Sequence, residues 1–325
     1  MHKPKAAALA WVIVLAVAAA STCAAADFPA WAYPVAGPAI PGTASPPDDG
    51  SPKRVPDSRL ALTKAQFAAH VTAVPDWHPE DHPAMPGIVS VGREPRVWAC
   101  AYCHLPNGAG RPENTSLAGL TPAYFKQQLA DFKHGNRTGS EPKRAPQNFM
   151  IAMANSVTDD EVAQAAAYFA SLKPESYVRV VEADTVPKSY VAGAMLAKVP
   201  GGGFEPLGDR IIEIPEDLER ADNRDSRTPY LAYVPVGSVE KGAALVATAK
   251  AGKTQQCSVC HGPELRGLGD VPRLAGRSPS YLVRQLYDYK SGTRTGASGL
   301  MKVVVADLSL GDMIAIVAYV SSRTP

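Results

Sequence analysis

Apolar residues recur every three or four positions in six segments of the chain, and this spacing predicts amphipathic helices. The segments are 62–71, 122–134, 159–172, 237–251, 279–291 and 310–322. Two of these helices follow good capping residues, Thr158 and Ser309. A seventh segment, 86–98, is interrupted by Gly92 and Pro95 and is expected to be less regular. The pattern therefore predicts a mainly helical protein.

The helical segments belong to two copies of one sequence pattern. Residues 104–139 align with residues 261–296 without a gap, at a constant offset of 157, and 16 of the 36 positions are identical. The first copy then carries six extra residues around 141–146, after which Met150 and Met301 resume the register at the same distance before the final helix. A duplicated domain explains this agreement.

The predicted organisation has five parts. They are a signal peptide (1–26), an N-terminal extension (27–85), a first helical domain (86–173), a connector (174–236) and a second helical domain (237–325). Much of the extension is rich in Pro, Gly, Ser and Asp, which predicts an extended arm rather than a packed core. The connector alternates short apolar pieces with turn residues, which is typical of an ordered strap or a short strand pair. The expected fold class is all-α, with a Pro-rich extension and a mostly irregular connector.

The N-terminus has the features of an export signal. Two lysines precede an apolar run of 12 residues, 9–20, and residues 24–26 are the small alanines that signal peptidase requires. Cleavage before Asp27 would place the mature protein in the periplasm. The run is short for a membrane span, so retention as an anchor and lipid attachment at Cys23 are the weaker alternatives, and they leave association with a membrane open.

The charge of the chain bears on its expected partners, and its cysteine content indicates where the candidate sites lie. The mature chain would carry 31 basic and 31 acidic residues, whereas proteins that bind nucleic acid usually have a basic surplus. Nucleic acid is therefore not an expected partner. Four cysteines would remain after cleavage, and all four lie in two short motifs.

The two motifs have the pattern C-x-x-C-H. They consist of Cys100, Cys103 and His104 in the first copy, and of Cys257, Cys260 and His261 in the second. This spacing on one helical turn presents both thiols to the vinyl groups of a haem and places the histidine beneath the iron. A zinc site would need a second ligand pair nearby, and a redox-active C-x-x-C would need a βαβ context, and the sequence offers neither. The motifs therefore predict two covalently bound haem c groups.

The sixth ligand of each iron is expected to be a methionine. Met150 and Met153 compete in the first copy, and Met301 and Met313 compete in the second. Only Met150 and Met301 stand at matching distances before the final helix, so these two are predicted to be the ligands. A thioether ligand favours ferrous iron, raises the reduction potential and closes the sixth position to oxygen or peroxide.

Other residues are expected to support the haem pockets. A backbone carbonyl usually orients the proximal histidine, and Pro272 is well placed to provide one, with Thr115 as its first-copy counterpart. Arg137 and Arg294 are candidates to pair with haem propionates, and the alternative is that they are solvent-facing loop residues. His78 is expected to be a loop residue rather than a ligand.

With these motifs in place, the chain resembles the tandem class I dihaem cytochromes c of the c-four group. The resemblance covers about 87–172 and 237–322, and it rests on C-x-x-C-H, Leu-Ala-Gly, Tyr-x-x-x-Gln-Leu, Arg-x-Gly before the methionine and an Ala-Tyr pair in the last helix. It implies two small all-α domains about a pseudo-twofold axis, with haems close enough to exchange electrons. The N-terminal extension, the insert at 141–146 and the long connector depart from the family pattern.

The resulting prediction is a periplasmic electron carrier that is not itself an enzyme. Its expected partners are redox proteins, namely a dehydrogenase or other donor and a terminal oxidase or other acceptor. Two alternatives stay open: a dihaem enzyme of the peroxidase or thiosulfate dehydrogenase type, and a cytochrome subunit of a membrane-bound dehydrogenase or oxidase complex. The shorter loop to Met301 favours the C-terminal haem as the one with the higher potential, although burial by the extension or connector would act the other way.

Overall fold

The computed structural model describes residue 2 and residues 28–38, 40–44, 47–68, 71, 73–248, 252–296 and 299–325. The predicted signal peptide, 1–26, lies outside these described residues except for His2. Over the described part of the chain, no helix has both the length and the apolar character needed to cross a membrane.

Helices and short strands alternate along the described residues. The helices are α1 (Lys64–Ala68), α2 (Gly87–Ser90), α3 (Cys100–His104), α4 (Pro122–Lys133), α5 (Ala145–Ser156), α6 (Asp159–Ser171), α7 (Leu218–Asp222), α8 (Ser238–Thr248), α9 (Cys257–His261), α10 (Pro279–Ser291), α11 (Leu300–Val305) and α12 (Leu310–Ser321). The strands are β1 (Gly92–Arg93), β2 (Val97–Trp98), β3 (Val178–Glu182), β4 (Thr185–Pro187), β5 (Ser189–Ala192), β6 (Met195–Lys198), β7 (Phe204–Pro206), β8 (Ile212–Pro215) and β9 (Tyr230–Val234).

The expectation of an all-α fold is wrong. The protein is 39% helical and 14% strand, and most of its strands lie in the connector, 174–236. Short apolar segments between turn residues can bury side chains only by pairing with one another, and here they pair into sheets. All four residues of β8 are buried, for example, although this segment is too short to be recognised as a strand by periodicity.

The connector forms a small β structure where the chain passes from one repeat to the other. Its main sheet has the order β3-β9-β8, with β3 parallel to β9 and β8 antiparallel to β9. Val178 lies opposite Tyr230 in this register, so the start of the connector is paired with its end. Two further antiparallel pairs, β4 with β7 and β5 with β6, complete the unit. The connector is therefore a folded element and not an irregular strap.

The predicted helices of the two repeats are present, with ends shifted by a few residues. Thr158 and Ser309 are the N-caps of α6 and α12, as expected, and each forms a capping box with an acidic residue three positions later, Glu161 or Asp312. The interrupted segment 86–98 contains the four-residue helix α2 and the strands β1 and β2. The first repeat therefore lacks a long helix equivalent to α8.

Each repeat has its own apolar core beneath its final helix. Phe125 and Phe169 lie in the first core, and α8 packs against α12 in the second. The crossing of α8 and α12 is close, because a Cβ on Gly242 would lie only 1.9 Å from the carbonyl oxygen of Ala315. Close packing of this kind admits only glycine at the contact.

The N-terminal extension packs against the second repeat and the connector. The hydroxyl of Tyr33 donates to Asp288 of α10 over 2.7 Å, and the guanidinium of Arg284, also on α10, donates to the carbonyl of Ala32. Further along, Trp77 packs in a small cluster and donates to the carbonyl of Asn223 in the connector. The arm therefore begins on the second repeat and ends against the connector.

Candidate functional site

The two C-x-x-C-H motifs occupy matching one-turn helices, α3 and α9. Each helix ends at a residue with positive φ, which is Leu105 at 66° and Gly262 at 78°. A Cβ at position 262 would approach the carbonyl oxygen of Gly267 to 2.2 Å, so the second copy requires glycine there. These sharp ends keep both cysteines and the histidine on a single turn.

The two histidines are held in the same way. Nδ1 of His104 lies 2.8 Å from the carbonyl oxygen of Thr115, and Nδ1 of His261 lies 2.7 Å from that of Pro272. Burial lowers the pKa of both imidazoles, so each is neutral, donates through Nδ1 and keeps the lone pair of Nε2. Because the supporting group is a backbone carbonyl in both sites, the exchange of Thr115 for Pro272 does not alter this contact.

The thiols suit covalent attachment better than metal binding. Burial raises the pKa of Cys100 to about 12 and that of Cys257 to about 11, so both are protonated at neutral pH. A zinc site or a reactive C-x-x-C needs thiolates in a surrounding that lowers the pKa. Among the described residues, no group of three or more His, Cys, Asp or Glu side chains could hold a metal ion.

A cavity of about 1050 Å³ adjoins the first motif. Its lining includes the residues expected to hold the first haem, Cys100, Cys103, His104 and Met150, and also the competing Met153. Residues from 35–44 of the arm and from 190–194 of the β5–β6 turn also line it. The volume is at the upper end for a cofactor pocket, and the axial histidine and both thiols face it, so these residues fit a haem.

The two candidate methionines of the first site lie on α5 rather than in a loop. Met153 also packs against the first apolar core, whereas Met150 does not belong to that core. In the second site Met301 is the second residue of α11, and Met313 is only 1% exposed within the core beneath α12. Met313 is thus core filling in this structure.

The second site is more exposed than the first, which is covered by the arm and the β5–β6 turn. Cys260 is exposed, and large apolar side chains on α9, on the loop after it and on α11 are each more than half exposed. These side chains are Val259, Leu268, Leu300 and Val303. An exposed apolar surface beside two thiols and a histidine fits a haem that covers it when bound.

Arg137 and Arg294 are not solvent-facing, since they are only 6% and 3% exposed. They meet at the interface between the repeats. Arg137 donates to the hydroxyl of Tyr281 and to Gln285 of the second repeat over 2.9 and 3.0 Å. Arg294 makes the equivalent contacts with the first repeat.

The interface has pseudo-twofold symmetry. Arg294 donates to Tyr124 over 3.1 Å and to Gln128 over 2.7 Å, and these two residues are the counterparts of Tyr281 and Gln285 at the offset of 157. On either side of the arginine pair, the amide of Thr138 donates to the carbonyl of Thr293, and that of Thr295 donates to the carbonyl of Asn136. Reciprocal contacts of this kind define an isologous interface.

Sequence reasoning did not identify this interface, although the signal was available. The tyrosine, glutamine and arginine that form it are identical in both copies. A duplicated residue can support the pocket of its own domain or the contact with the other domain, and only the packing distinguishes these roles. His78 also makes a long-range contact that the sequence does not reveal. It is buried, and its Nε2 lies 3.0 Å from Asp225 of the connector.

The chemistry available at both sites is one-electron transfer, which haem c supplies when bound. The chain contributes two thiols for attachment, a neutral imidazole for the iron and apolar walls that exclude water.

Comparison with known proteins agrees with these sites. The family model described as "Cytochrome c" matches residues 96–173. Cytochrome c4 of Azotobacter vinelandii is 27% identical over 232 residues, which are 69% of this chain and 84% of that protein. The "Thiosulfate dehydrogenase electron acceptor" of Thiomonas intermedia is 25% identical over 233 residues, 70% of this chain and 80% of that protein.

A shorter relative matches a single repeat. Cytochrome c-554(548) of Halomonas halodenitrificans is 37% identical over 73 residues, which are 22% of this chain and 88% of that protein. A single-domain relative and two longer relatives thus agree with a duplicated haem domain. The chain therefore belongs to the cytochrome c family, as a tandem, cytochrome c4-like protein that binds two haem c groups and transfers electrons.

Proposed function

We propose that this protein is an exported, periplasmic electron carrier built from two cytochrome domains, 86–173 and 237–325, with one haem in each. The observation that carries the proposal is the shared interface. Tyr281 and Gln285 of the second repeat bind Arg137 of the first, and all three side chains also line the first cavity. The first site thus adjoins the contact between the domains, which favours electron exchange between the two haems.

We further propose His104 with Met150, and His261 with Met301, as the axial ligand pairs. Met150 is favoured over Met153 because it lines the cavity without packing against the first core. Met301 is favoured over Met313 because the latter is buried among core residues. With both sixth positions filled by thioethers, neither iron would bind a substrate, which favours a carrier over an enzyme.

The partners in this proposal are other redox proteins. One of the longer relatives is named "Thiosulfate dehydrogenase electron acceptor", which supports a dehydrogenase as the donor. Encounters between redox proteins bury less than about 1,200 Å², and we place this small contact at the exposed apolar rim of the second site. The predicted signal peptide, 1–26, supports export.

The experiment is to replace each proposed methionine ligand in the full-length, haem-loaded protein. Met150→Ala and Met301→Ala should each keep two covalent haems but lose half of the sulfur-to-iron charge-transfer band, with one haem turning high-spin. Met153→Ala is the matched control, since it lies on the same helix and should leave the band intact. Fast cyanide binding to one haem of the parent protein would contradict the carrier and support the enzyme alternative.

A further inference from the structure

Arg144, Arg277 and Arg284 line the first haem cavity, and none of them has a basic counterpart in the other repeat. Arg144 lies in the insert that only the first copy carries, and the residues equivalent to Arg277 and Arg284 at the offset of 157 are Leu120 and Gln127. All three guanidiniums line the first cavity, although two of them belong to the second repeat. The cavity therefore gains positive charge that the duplicated pattern does not contain.

These arginines are buried and have neutral partners. Each is no more than 5% exposed. Arg144 donates to the carbonyl of Glu113 over 3.3 Å, Arg277 donates to that of Ser116 over 2.7 Å, and Arg284 donates to backbone carbonyls of the arm and of the loop before α4. Within the described residues, none of the three forms an ion pair with a carboxylate, and Nε of Arg144 and of Arg277 has no partner.

The carboxylates nearest to these arginines are already engaged. Glu113 forms an ion pair with Arg111 over 3.1 Å, and Asp288 accepts from the hydroxyl of Tyr33 and from the amide and hydroxyl of Ser140. Glu213, whose charge opposes the lowering of the Arg284 pKa by burial, accepts from the hydroxyl of Ser278 and the amide of Ser280. Glu141, Glu161 and Asp222 also line the cavity, but Glu161 forms an ion pair with Arg93 outside it.

The remaining positive charge lowers the pKa of neighbouring groups. Burial, together with the charge of Arg284, lowers the pKa of Arg144 to about 9. Burial alone would raise the pKa of Tyr281, but Arg137, Arg294 and Arg277 together hold it below its usual value. Buried cations that lower the pKa values of their neighbours are stabilised most by an anion placed between them.

We propose that Arg144, Arg277 and Arg284 form a cationic cradle for the propionate carboxylates of the first haem and make the first haem the one of higher reduction potential. This inference rests on the proposed function, because it requires a haem in each site. Buried positive charge favours the ferrous state, which carries one positive charge fewer than the ferric state. The covering of the first cavity by 35–44 and 190–194 acts in the same direction, since burial disfavours the more highly charged ferric form. The order is the reverse of the one expected from the shorter loop to Met301.

The test is a spectroscopic redox titration of the haem-loaded protein and of Arg144→Gln. This variant loses one charge and one long hydrogen bond, so it should fold. The wave of lower potential is assigned to the second haem with Met301→Ala, which shifts only the potential of that haem. We expect Arg144→Gln to lower the first potential by a tenfold change in the reduction equilibrium, or about 59 mV for one electron, and to leave the second wave in place. Arg277→Leu, which installs the residue found at its counterpart position, should act in the same direction.

Two control variants separate charge from structure. Arg144→Lys keeps the positive charge and should retain most of the reduction potential of the first haem. Lys126→Gln removes an exposed charge from α4 and should shift neither wave, because solvent screens it. An unchanged first wave in Arg144→Gln, with two low-spin haems present, would overturn the cradle while leaving the proposed function intact. A parent protein without two low-spin haems would contradict the proposed function and the cradle together.

A free anion is the other occupant that such a cradle could take. Titration of the parent protein with inorganic phosphate distinguishes the two. A first-haem potential that falls with phosphate, and does so no longer in Arg144→Gln, would overturn the propionate assignment. A potential that is independent of phosphate supports it.

Discussion

The two repeats share a motif, a histidine support and an interface, but they surround their haem sites differently. The first site adjoins a cavity that is covered by the arm and by the β5–β6 turn, and four buried arginines line this cavity, namely Arg137, Arg144, Arg277 and Arg284. The second site leaves Cys260 and a rim of apolar side chains exposed. A duplicated domain can therefore be differentiated by the segments added around it while its C-x-x-C-H motif and histidine support stay the same.

The difference follows from the segments that depart from the duplicated pattern. The extension, the insert at 141–146 and the connector all contribute to the first cavity. The sheet β3-β9-β8 and the docking of Tyr33 on α10 hold these segments in place. The exposed second site is consequently the one at which a redox partner can approach a haem most directly.

The largest effects are expected from removing one haem at a time. The double variants Cys100→Ala with Cys103→Ala, and Cys257→Ala with Cys260→Ala, should each reduce covalent haem from two groups to one, as measured by a haemochrome assay and protein mass. Loss of the first haem should lower the melting temperature more, because it leaves a cavity of about 1050 Å³ between the first repeat, the arm and the connector without its contents. Equal losses of stability in the two variants would contradict the difference in enclosure.

The two repeats should respond alike to substitutions at the interface between them. Arg137→Gln and Arg294→Gln each leave a tyrosine hydroxyl without its arginine donor and leave Gln128 and Gln285 with one donor instead of two. Each should lower the free energy of unfolding by about 1–3 kcal/mol, measured by urea denaturation. The double variant should cost more than the sum of the two single variants, because only then do Gln128 and Gln285 lose both arginine donors. Strictly additive costs would indicate that the symmetric network is not a unit.

A smaller effect on stability should distinguish two equivalent tyrosines in the final helices. The buried hydroxyl of Tyr168 donates to the carbonyl of Pro106 over 2.7 Å and so ties α6 to the loop after the first motif. Tyr168→Phe should lower the free energy of unfolding by about 1 kcal/mol. Its counterpart, Tyr319, is more exposed, and its ring lies against the guanidinium of Arg323, so Tyr319→Phe serves as the matched control with little effect. Similar losses in both variants would remove this distinction.

The smallest effect concerns the capping box of α6 in acid. A hydrogen bond from Arg93 lowers the pKa of Glu161 to about 2. Because the folded-state pKa lies below the unfolded value of about 4.3, Glu161 contributes stability above that pH, and this contribution is lost as the pH falls toward 2. Glu161→Gln should therefore be destabilising at pH 7 and nearly neutral at pH 2. Urea midpoints over this range would test it, and a pH-independent difference would contradict the cause given.

Some features of the fold followed from the sequence because they depend on residues close together in the chain. The caps Thr158 and Ser309 act on amides within the next turn, and their prediction is confirmed. The duplication was equally visible as an ungapped block of identities. The choice of Met150 and Met301 rests on spacing in the same way, and it stays a prediction.

The sequence by itself determined the haem chemistry of this protein, because C-x-x-C-H sets the covalent geometry of attachment within one helical turn. Only the tertiary structure decided what surrounds each haem. The strands β3 and β9 pair across the connector, Arg137 meets Tyr281 more than a hundred residues away, and Arg284 of the second repeat reaches the first cavity. No local pattern encodes these contacts, since they depend on which faces of distant elements pack together.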